Sequence, residues 1–118
     1  MHELSVATAV AEIAERHAGG RRVLLVGVRV GHLRQVVPDS LRFAFEAVTS
    51  EGPCAGARLE VTAVPLRLRC ACGHEWEPGE PRFVCPACDT AGGEILAGEE
   101  LDVEWIEIDE EAACTAHA

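Results

Sequence analysis

Two closely spaced cysteine pairs constrain the fold of this chain more than any other feature of its sequence. They are Cys70-Ala71-Cys72 and Cys85-Pro86-Ala87-Cys88, and they hold four of the chain's six cysteines. Two thiolates from each of two tight turns are the ligand set with which proteins bind a structural zinc ion in tetrahedral geometry. The predicted zinc ligands are Cys70, Cys72, Cys85 and Cys88. A disulfide pair or free core cysteines are the alternatives, and both are disfavoured in a chain without an export signal.

The two turns differ in length. The second pair has the common two-residue spacing, and its proline fixes one backbone dihedral of the turn. Only one residue separates Cys70 from Cys72, so this turn must be tighter or one of its ligands must be replaced. His74 is the alternative zinc ligand, because Gly73 gives the backbone the freedom to bring the imidazole round.

The length of 118 residues allows one small domain that carries a smaller inserted module. Residues 65–98 contain few large apolar side chains, so this module is expected to need its metal to fold. The first apolar run is broken by Glu12 and Glu15 and does not resemble a signal peptide, and the stretch Val23–Val30 is too short to span a bilayer. We expect a soluble, cytoplasmic protein with no membrane partner, in which a reducing environment keeps the thiols available for metal.

Charge is distributed unevenly along the chain, whose formal net charge is -10. Residues 1–70 carry nine arginines and seven acidic residues, whereas residues 71–118 carry thirteen acidic residues and a single arginine, Arg82. Such an acidic second half repels the phosphate backbone of nucleic acids. We therefore expect no nucleic-acid partner, although zinc ribbons often have one.

Apolar residues recur at three- and four-residue steps in two segments, which predicts two helices. The first covers residues 3–18 and ends at Gly19-Gly20, with His17 on or beside the apolar stripe and partly buried. The second follows Pro38-Asp39-Ser40, whose proline and short capping side chain favour a helix start, and it ends before residues 51–53.

Three segments have the composition and alternation of β-strands. Residues 22–30 are β-branched and apolar on both faces, as in a central strand covered on both sides. Residues 58–63 alternate strictly, and residues 101–108 alternate with one slip between Trp105 and Ile106 that predicts a β-bulge. The predicted fold is α+β: a small mixed sheet of about three strands with two helices, plus an inserted zinc-ribbon module.

The predicted organisation places the module between two strands of one sheet. Residues 1–64 and 99–110 form the α/β body, residues 65–98 form the zinc-binding module, and residues 111–118 form a disordered tail. Monomer and homodimer both stay open, because an inserted module allows strands to be exchanged between two copies.

No catalytic centre is recognisable, since the chain shows neither a nucleophile with a matching base nor a phosphate-binding glycine loop. We therefore expect that the protein is not an enzyme. Cys54 stands alone in a loop and is assigned no role, and Cys114 with His117 in the acidic tail is weak support for a site.

The start of the chain, Met1-His2-Glu3, offers three nitrogen atoms close together: the amine of Met1, and the amide and imidazole of His2. Square-planar Ni(II) or Cu(II) favours such nitrogen ligands and can displace amide protons to form short chelate rings. The chain terminus can therefore be a metal site, although a histidine at position 2 carries no weight alone.

The order of these features resembles the HypA/HybF family of hydrogenase maturation proteins, which are nickel metallochaperones. The resemblance runs from residue 1 to about residue 108 and is carried by these segments: Met1-His2-Glu3-Leu4-Ser5, Val30-Gly31-His32-Leu33, Ser40-Leu41 with Phe43-Ala44-Phe45, Gly56-Ala57-Arg58-Leu59, the two cysteine pairs, and Gly98-Glu99-Glu100-Leu101. The Met-His-Glu start combined with late cysteine pairs is fairly specific.

The resemblance implies a two-part α/β protein with a nickel-binding body and a zinc-ribbon insertion. It also implies delivery of Ni(II) to the large subunit of [NiFe] hydrogenase, together with the GTPase HypB. By motif match, His2 and the backbone nitrogens of residues 1 to 3, including the amine of Met1, would hold nickel, and Glu3 would support the site. The four paired cysteines would hold zinc.

The chain departs from the family pattern in two places. The first cysteine pair usually has two intervening residues, and the second is usually followed by glycine where this chain has Asp89. Two rival interpretations stay open. A zinc-ribbon adaptor for protein interaction or transcription would keep zinc without needing His2, and a thiol-transfer protein would act through Cys70-Cys72.

Overall fold

A computed structural model describes residues 2–78 and 83–109, with His2 described by its backbone alone. The elements in chain order are helix α1 (His2–Ala18), strand β1 (Val23–Gly31), a 3-10 turn (His32–Arg34), helix α2 (Pro38–Val48), and strands β2 (Arg58–Val64), β3 (Arg67–Arg69), β4 (Glu75–Trp76), β5 (Glu94–Ala97) and β6 (Leu101–Ile108). One sheet has the strand order β2-β1-β6, and a second has the order β4-β3-β5. The predicted α+β class is confirmed, and the second three-stranded sheet was not predicted.

Of the predicted stripe Val6, Val10, Ile13 and His17, helix α1 buries Val6 and Val10 and half-buries Ile13, and it also buries four alanines that the prediction left out. Its buried side chains are Val6, Ala7, Val10, Ala11, Ala14 and Ala18. The prediction of a partly buried His17 is wrong, because the buried face follows the alanines and leaves His17 exposed. Alanine at the contact lets two helices approach closely, and α1 packs against α2.

Helix α2 begins at Pro38, as predicted, but no side chain caps it. Val37 is the residue before the helix, and Asp39 pairs with Arg42 one turn later, at 2.9 Å, instead of capping. The predicted stripe of Leu41, Ala44, Phe45 and Val48 is buried at its first three residues and half-buried at Val48.

Strand β1 is the central strand of its sheet, which confirms the prediction from its apolar faces. A Cβ atom at Gly27 would collide with the indole ring of Trp105 in β6, so glycine is needed for this ring to lie against β1. Glu104 and Trp105 are both exposed, so the alternation in the burial of β6 breaks one residue before the predicted slip between Trp105 and Ile106. The β-bulge itself stays a prediction.

Cys54 is fully buried, although its position alone in a loop gave it no predicted role. Burial, together with the negative charge of Glu15, raises the pKa of its thiol to about 11. The largest fully buried side chains of the same part of the chain are Phe45, Leu41, Val23, Val26 and Val28. Cys54 therefore contributes to a hydrophobic core as a small apolar residue.

Apolar and charged side-chain pairs both support the register of the second sheet. Leu68 of β3 is buried and faces Trp76 of β4 in the strand register. The neighbouring Arg67 and Arg69 pair with Glu75 at 3.0 and 3.1 Å, and these two guanidinium groups lower the pKa of its carboxyl group. Exposed ion pairs contribute little stability, so their main effect is on the register of two very short strands.

The chain divides into two compact units. We call the first the body (Met1–Arg29, Val36–Thr62 and Asp102–Ala118) and the second the cysteine unit (Val30–Gln35 and Ala63–Leu101). Within the described residues, no helix combines the length and apolar character that a membrane span requires.

The cysteine unit closes on itself where its chain enters and leaves the second sheet. A Cβ atom at Gly98, whose φ is 118°, would lie 2.8 Å from the Cα of Leu66. The carbonyl of Gly98 also accepts the N–H of Leu33 at 2.8 Å. Glycine is therefore required at this crossing for its φ and for the close approach of backbones.

Candidate metal centre

The first cysteine turn is closed by backbone hydrogen bonds between the end of β3 and the start of β4. The N–H of Cys70 donates to the carbonyl of His74 at 2.8 Å, and the N–H of Gly73 donates to the carbonyl of Cys70 at 2.9 Å. Gly73 has a φ of 94°, which favours glycine. The one-residue spacing is therefore accommodated by a tight, hydrogen-bonded turn.

The second turn uses an aspartate in a glycine-like conformation. The N–H of Asp89 donates to the carbonyl of Cys85 at 2.8 Å, and the N–H of Cys85 donates to the carbonyl of Thr90 at 3.0 Å. Asp89 has a φ of 60°, in the left-handed region that glycine, asparagine and aspartate adopt most readily. The turn therefore keeps its shape where the resembled family has glycine.

The two turns bring the four predicted zinc ligands together. Their Sγ atoms all lie within 4.8 Å of one another, with 3.4 Å between Cys70 and Cys88 and 3.7 Å between Cys72 and Cys85. Four sulfurs bound to one tetrahedral zinc ion are about 3.8 Å apart, so the donor set fits this metal in type, number and spacing. In the described part of the chain, these cysteines are the one group of three or more His, Cys, Asp or Glu residues so arranged.

The sulfurs differ in exposure and acidity. Cys70 and Cys85 are buried, whereas Cys72 and Cys88 are exposed. The hydroxyl and N–H of Thr90, with the thiol of Cys70, lower the pKa of Cys88 to about 6. The N–H of Cys72 acts to lower the pKa of Cys70, but hydrogen bonding to Cys88 and burial outweigh it and raise this pKa to about 11. Burial and a raised pKa both make the sulfur of Cys70 a poor nucleophile for thiol transfer.

His74 lies outside the four-sulfur group. Its exposed ring stacks on Trp76, with the ring centroids 6.1 Å apart and the planes inclined by 17°. The turn therefore presents both of its cysteine sulfurs to the cluster and directs the imidazole to an aromatic neighbour.

The predicted nickel site lies mostly outside the described residues. Met1 is not among them, nor are Cys114 and His117 of the tail, and His2 is described only as the first residue of α1. Glu3 is half-buried, and its Oε2 accepts a hydrogen bond from the N–H of Val37 at 3.5 Å. Glu3 therefore connects the first turn of α1 with the residue that precedes α2.

The structural roles of two residues near the sulfurs were not recognised from the sequence. Thr90 places its hydroxyl 3.2 Å from the sulfur of Cys88, and Asp89 supplies the left-handed turn residue. A hydroxyl residue two positions after a ligand cysteine, and an aspartate directly after it, are the signals that could have indicated both.

Comparisons with known proteins agree with the two metal-related features of the chain. The sequence model of a family described as hydrogenase/urease nickel incorporation, metallochaperone, hypA, matches residues 1–108. The chain is 44% identical over 110 residues to the hydrogenase maturation factor HypA of Geobacter metallireducens, an alignment that covers 92% of this chain and 100% of the relative. It is 36% identical over 118 residues to the hydrogenase maturation factor HypA of Dehalococcoides mccartyi, covering 95% of this chain and 98% of that one.

A solved structure agrees as well. The solution structure of the Ni metallochaperone HypA from Helicobacter pylori matches with a TM-score of 0.67 and 26% sequence identity, covering 92% of this chain and 97% of that chain. The range matched by the family includes the Met1-His2-Glu3 start and both cysteine turns. The resemblance found in the sequence is confirmed, and the chain belongs to the HypA family of nickel-incorporating metallochaperones in hydrogenase maturation.

Proposed function

We propose that this chain binds Ni(II) at its N-terminus and delivers it for the maturation of [NiFe] hydrogenase, with a structural zinc ion held by Cys70, Cys72, Cys85 and Cys88. The observation that carries the proposal is the four-sulfur cluster, in a HypA-family chain that begins with Met1-His2-Glu3. Nickel is the cargo and zinc is the scaffold.

The proposed nickel ligands are the amine of Met1, the imidazole of His2 and backbone nitrogens of residues 1 to 3. The first N–H groups of a helix have no acceptor within that helix, so nickel can take amide nitrogens at the start of α1 without breaking a helical hydrogen bond. The positive end of the helix dipole opposes a cation there, and the carboxylate of Glu3 offsets part of that repulsion. Such a balance suits a metal that must be bound and then released.

The proposed zinc ion would hold the cysteine unit together. Two of the four sulfurs come from the turn after β3 and two from the turn that ends at Asp89, so one ion would cross-link both turns. Bound zinc supplies structural cross-linking through tetrahedral thiolate coordination. His74 is not needed as a ligand, since its ring stacks on Trp76.

The proposed division of labour follows the expected domains. Residues 1–64 and 99–110 would form the nickel-binding part of the chain, which shares most of its residues with the body, and residues 65–98 the zinc-binding module, which lies within the cysteine unit. We expect the GTPase HypB and the hydrogenase large subunit as partners, because the chain belongs to a hydrogenase maturation family. We propose a carrier rather than an enzyme, with specificity residing in metal ligands and partner surfaces.

The nickel proposal is tested by titrating Ni(II) into zinc-loaded protein that has its native Met1 and no N-terminal tag. His2→Ala should weaken nickel binding more than about 100-fold, since even the loss of a group that only supports a metal ligand costs 10- to 100-fold. His17→Ala is the matched control, because His17 is an exposed histidine at the other end of the same helix.

Calorimetry and the visible absorption of Ni(II) report this binding. If His2→Ala binds nickel as wild type does, or if wild type does not bind nickel, the N-terminal site is wrong. Equal loss in His17→Ala would show that the effect comes from helix α1 as a whole rather than from a ligand.

The zinc proposal is tested by metal content. Cys85→Ala should lose its zinc, whereas Cys54→Ala should keep one zinc per chain, because Cys54 is equally buried but belongs to the body core. A parallel comparison should show loss in Cys70→Ala and retention in His74→Ala. One zinc per chain in Cys85→Ala would contradict the four-ligand site.

A further inference from the structure

Thr90 holds a fixed position beside the second cysteine turn. Its carbonyl accepts the N–H of Cys85 at 3.0 Å, and the next residue, Ala91, forms an isolated antiparallel β-bridge with Val84. The backbone of Thr90 is therefore held on both sides. Its hydroxyl oxygen lies 3.2 Å from the sulfur of Cys88, within hydrogen-bond distance for sulfur.

The direction of this hydrogen bond depends on the state of the sulfur. A metal-bound cysteine is a thiolate, which has no proton to donate and accepts hydrogen bonds only. The hydroxyl of Thr90 must then donate to Cys88.

The four sulfurs differ in how they are protected. Cys70 and Cys85 are buried, so the protein itself excludes reagents from them. Cys72 and Cys88 are exposed, and among the described residues Cys88 is the one whose sulfur has a hydroxyl partner. A donated hydrogen bond draws electron density from a thiolate, so it lowers the rate at which that sulfur attacks an electrophile.

We propose that Thr90 is a positioning residue of the metal centre, whose hydroxyl donates a hydrogen bond to the metal-bound sulfur of Cys88 and lowers the nucleophilicity of this exposed ligand. The inference rests on the proposed zinc site. It assigns to Thr90 the protection that burial gives to Cys70 and Cys85.

The test is the alkylation of zinc-loaded, full-length protein by iodoacetamide, with each modified cysteine identified by mass spectrometry. In this reaction the sulfur forms a bond to the methylene carbon, the carbon–iodine bond breaks and iodide leaves. Thr90→Val removes the hydroxyl and keeps the shape of the side chain, so Cys88 should react about three- to tenfold faster. Thr90→Ser restores the hydroxyl and should restore the slow rate.

Cys72 is the internal control, because it is exposed in the same cluster and has no contact with Thr90 among the hydrogen bonds of the described residues. Its rate should stay unchanged in Thr90→Val. A loosened turn would instead raise the rates of Cys72 and Cys88 together, and this result would overturn the proposal. An unchanged Cys88 rate, or a serine variant that behaves like the valine variant, would also overturn it.

A spectroscopic measurement separates the hydrogen bond from access of the reagent. In Co(II)-substituted protein, the sulfur-to-cobalt charge-transfer band should move to lower energy in Thr90→Val and return in Thr90→Ser, and an unmoved band would count against the proposal. The zinc content of each protein is measured first. A wild-type protein without zinc would show that the proposed zinc site is wrong. Loss of zinc in Thr90→Val but not in Thr90→Ser would show that the hydroxyl supports metal binding, whereas loss in both variants would show that the absent hydroxyl is not the cause of the loss.

Discussion

Removing zinc should unfold the cysteine unit while the body keeps its core, and the two tryptophans of the chain report the two units separately. Trp76 lies in β4 of the cysteine unit, half-buried in register with Leu68. Trp105 lies in β6 of the body, with its ring against the backbone of Gly27. Trp105→Phe and Trp76→Phe therefore give one-tryptophan variants, each reporting on one unit.

The expected result follows from the relative size of two contributions. Within the described part of residues 63–101, the buried large apolar side chains are Leu66 and Leu68, which are 5% and 2% exposed. Burial of a leucine contributes roughly 1.5–3 kcal/mol, so the pair supplies about 3–6 kcal/mol. A structural zinc ion contributes roughly 10–16 kcal/mol, at least about 1.5 times as much. The proposed zinc ion would therefore be the larger contribution, and without it too little would remain to order the second sheet.

The assay adds a chelator to zinc-loaded protein and follows tryptophan emission. In the Trp105→Phe variant, emission from Trp76 should shift to the red when zinc leaves and return when zinc is restored. In the Trp76→Phe variant, emission from Trp105 should not change. A native Trp76 signal in protein shown to be zinc-free would refute the reasoning, because apolar burial would then be enough to hold the unit.

Three other changes have expected outcomes. Gly27→Ala forces a Cβ into the ring of Trp105 and should cost about 1–3 kcal/mol in the free energy of unfolding, measured by denaturant titration; an unaltered midpoint would contradict the packing. Cys54 should resist thiol reagents until the body unfolds, since its pKa is raised to about 11 by burial, and labelling at the rate of a free thiol would show that it is open to solvent. Zinc affinity should rise with pH over a wide range, because zinc binds thiolates and the pKa of Cys70 is about 11, so this thiol releases a proton on binding at neutral pH. Below about pH 6, the pKa of Cys88, this thiol must also release a proton on binding, so zinc affinity should fall more steeply as the pH is lowered. Competition with a chelator at several pH values measures the affinity. An affinity that does not change with pH would be inconsistent with these two pKa values.

The parts of the fold that the sequence predicted are those with long, regular patterns. Strand β1 carries nine residues of mostly apolar character, which is enough to identify a central strand. The buried stripe of α2 follows from its large side chains. The four-sulfur cluster was predicted because two cysteine pairs at turn spacing are the ligand set of a structural zinc site.

The parts that were missed lack such patterns. Four alanines form most of the buried face of α1, and their small contribution to hydrophobicity let the predicted stripe extend from Val6 and Val10 to the exposed His17. Strands β3, β4 and β5 have three, two and four residues, too few for any periodicity to show. The proposed role of Thr90 depends on the distance between its hydroxyl and the sulfur of Cys88. The fold sets this distance, so the composition of the chain does not indicate it.

The close approach of Gly98 to Leu66 has a consequence for how such a chain can change during evolution. Leu66 and Gly98 lie close together near the two ends of the segment that joins strands β2 and β6. This segment therefore forms one closed loop between the two strands. The entropy cost of closing a loop grows only with the logarithm of its length, so the segment can be shortened, extended or exchanged at small thermodynamic cost. Changes in the length of residues 67–97 are therefore expected to leave the pairing of β1 with β2 and β6 intact.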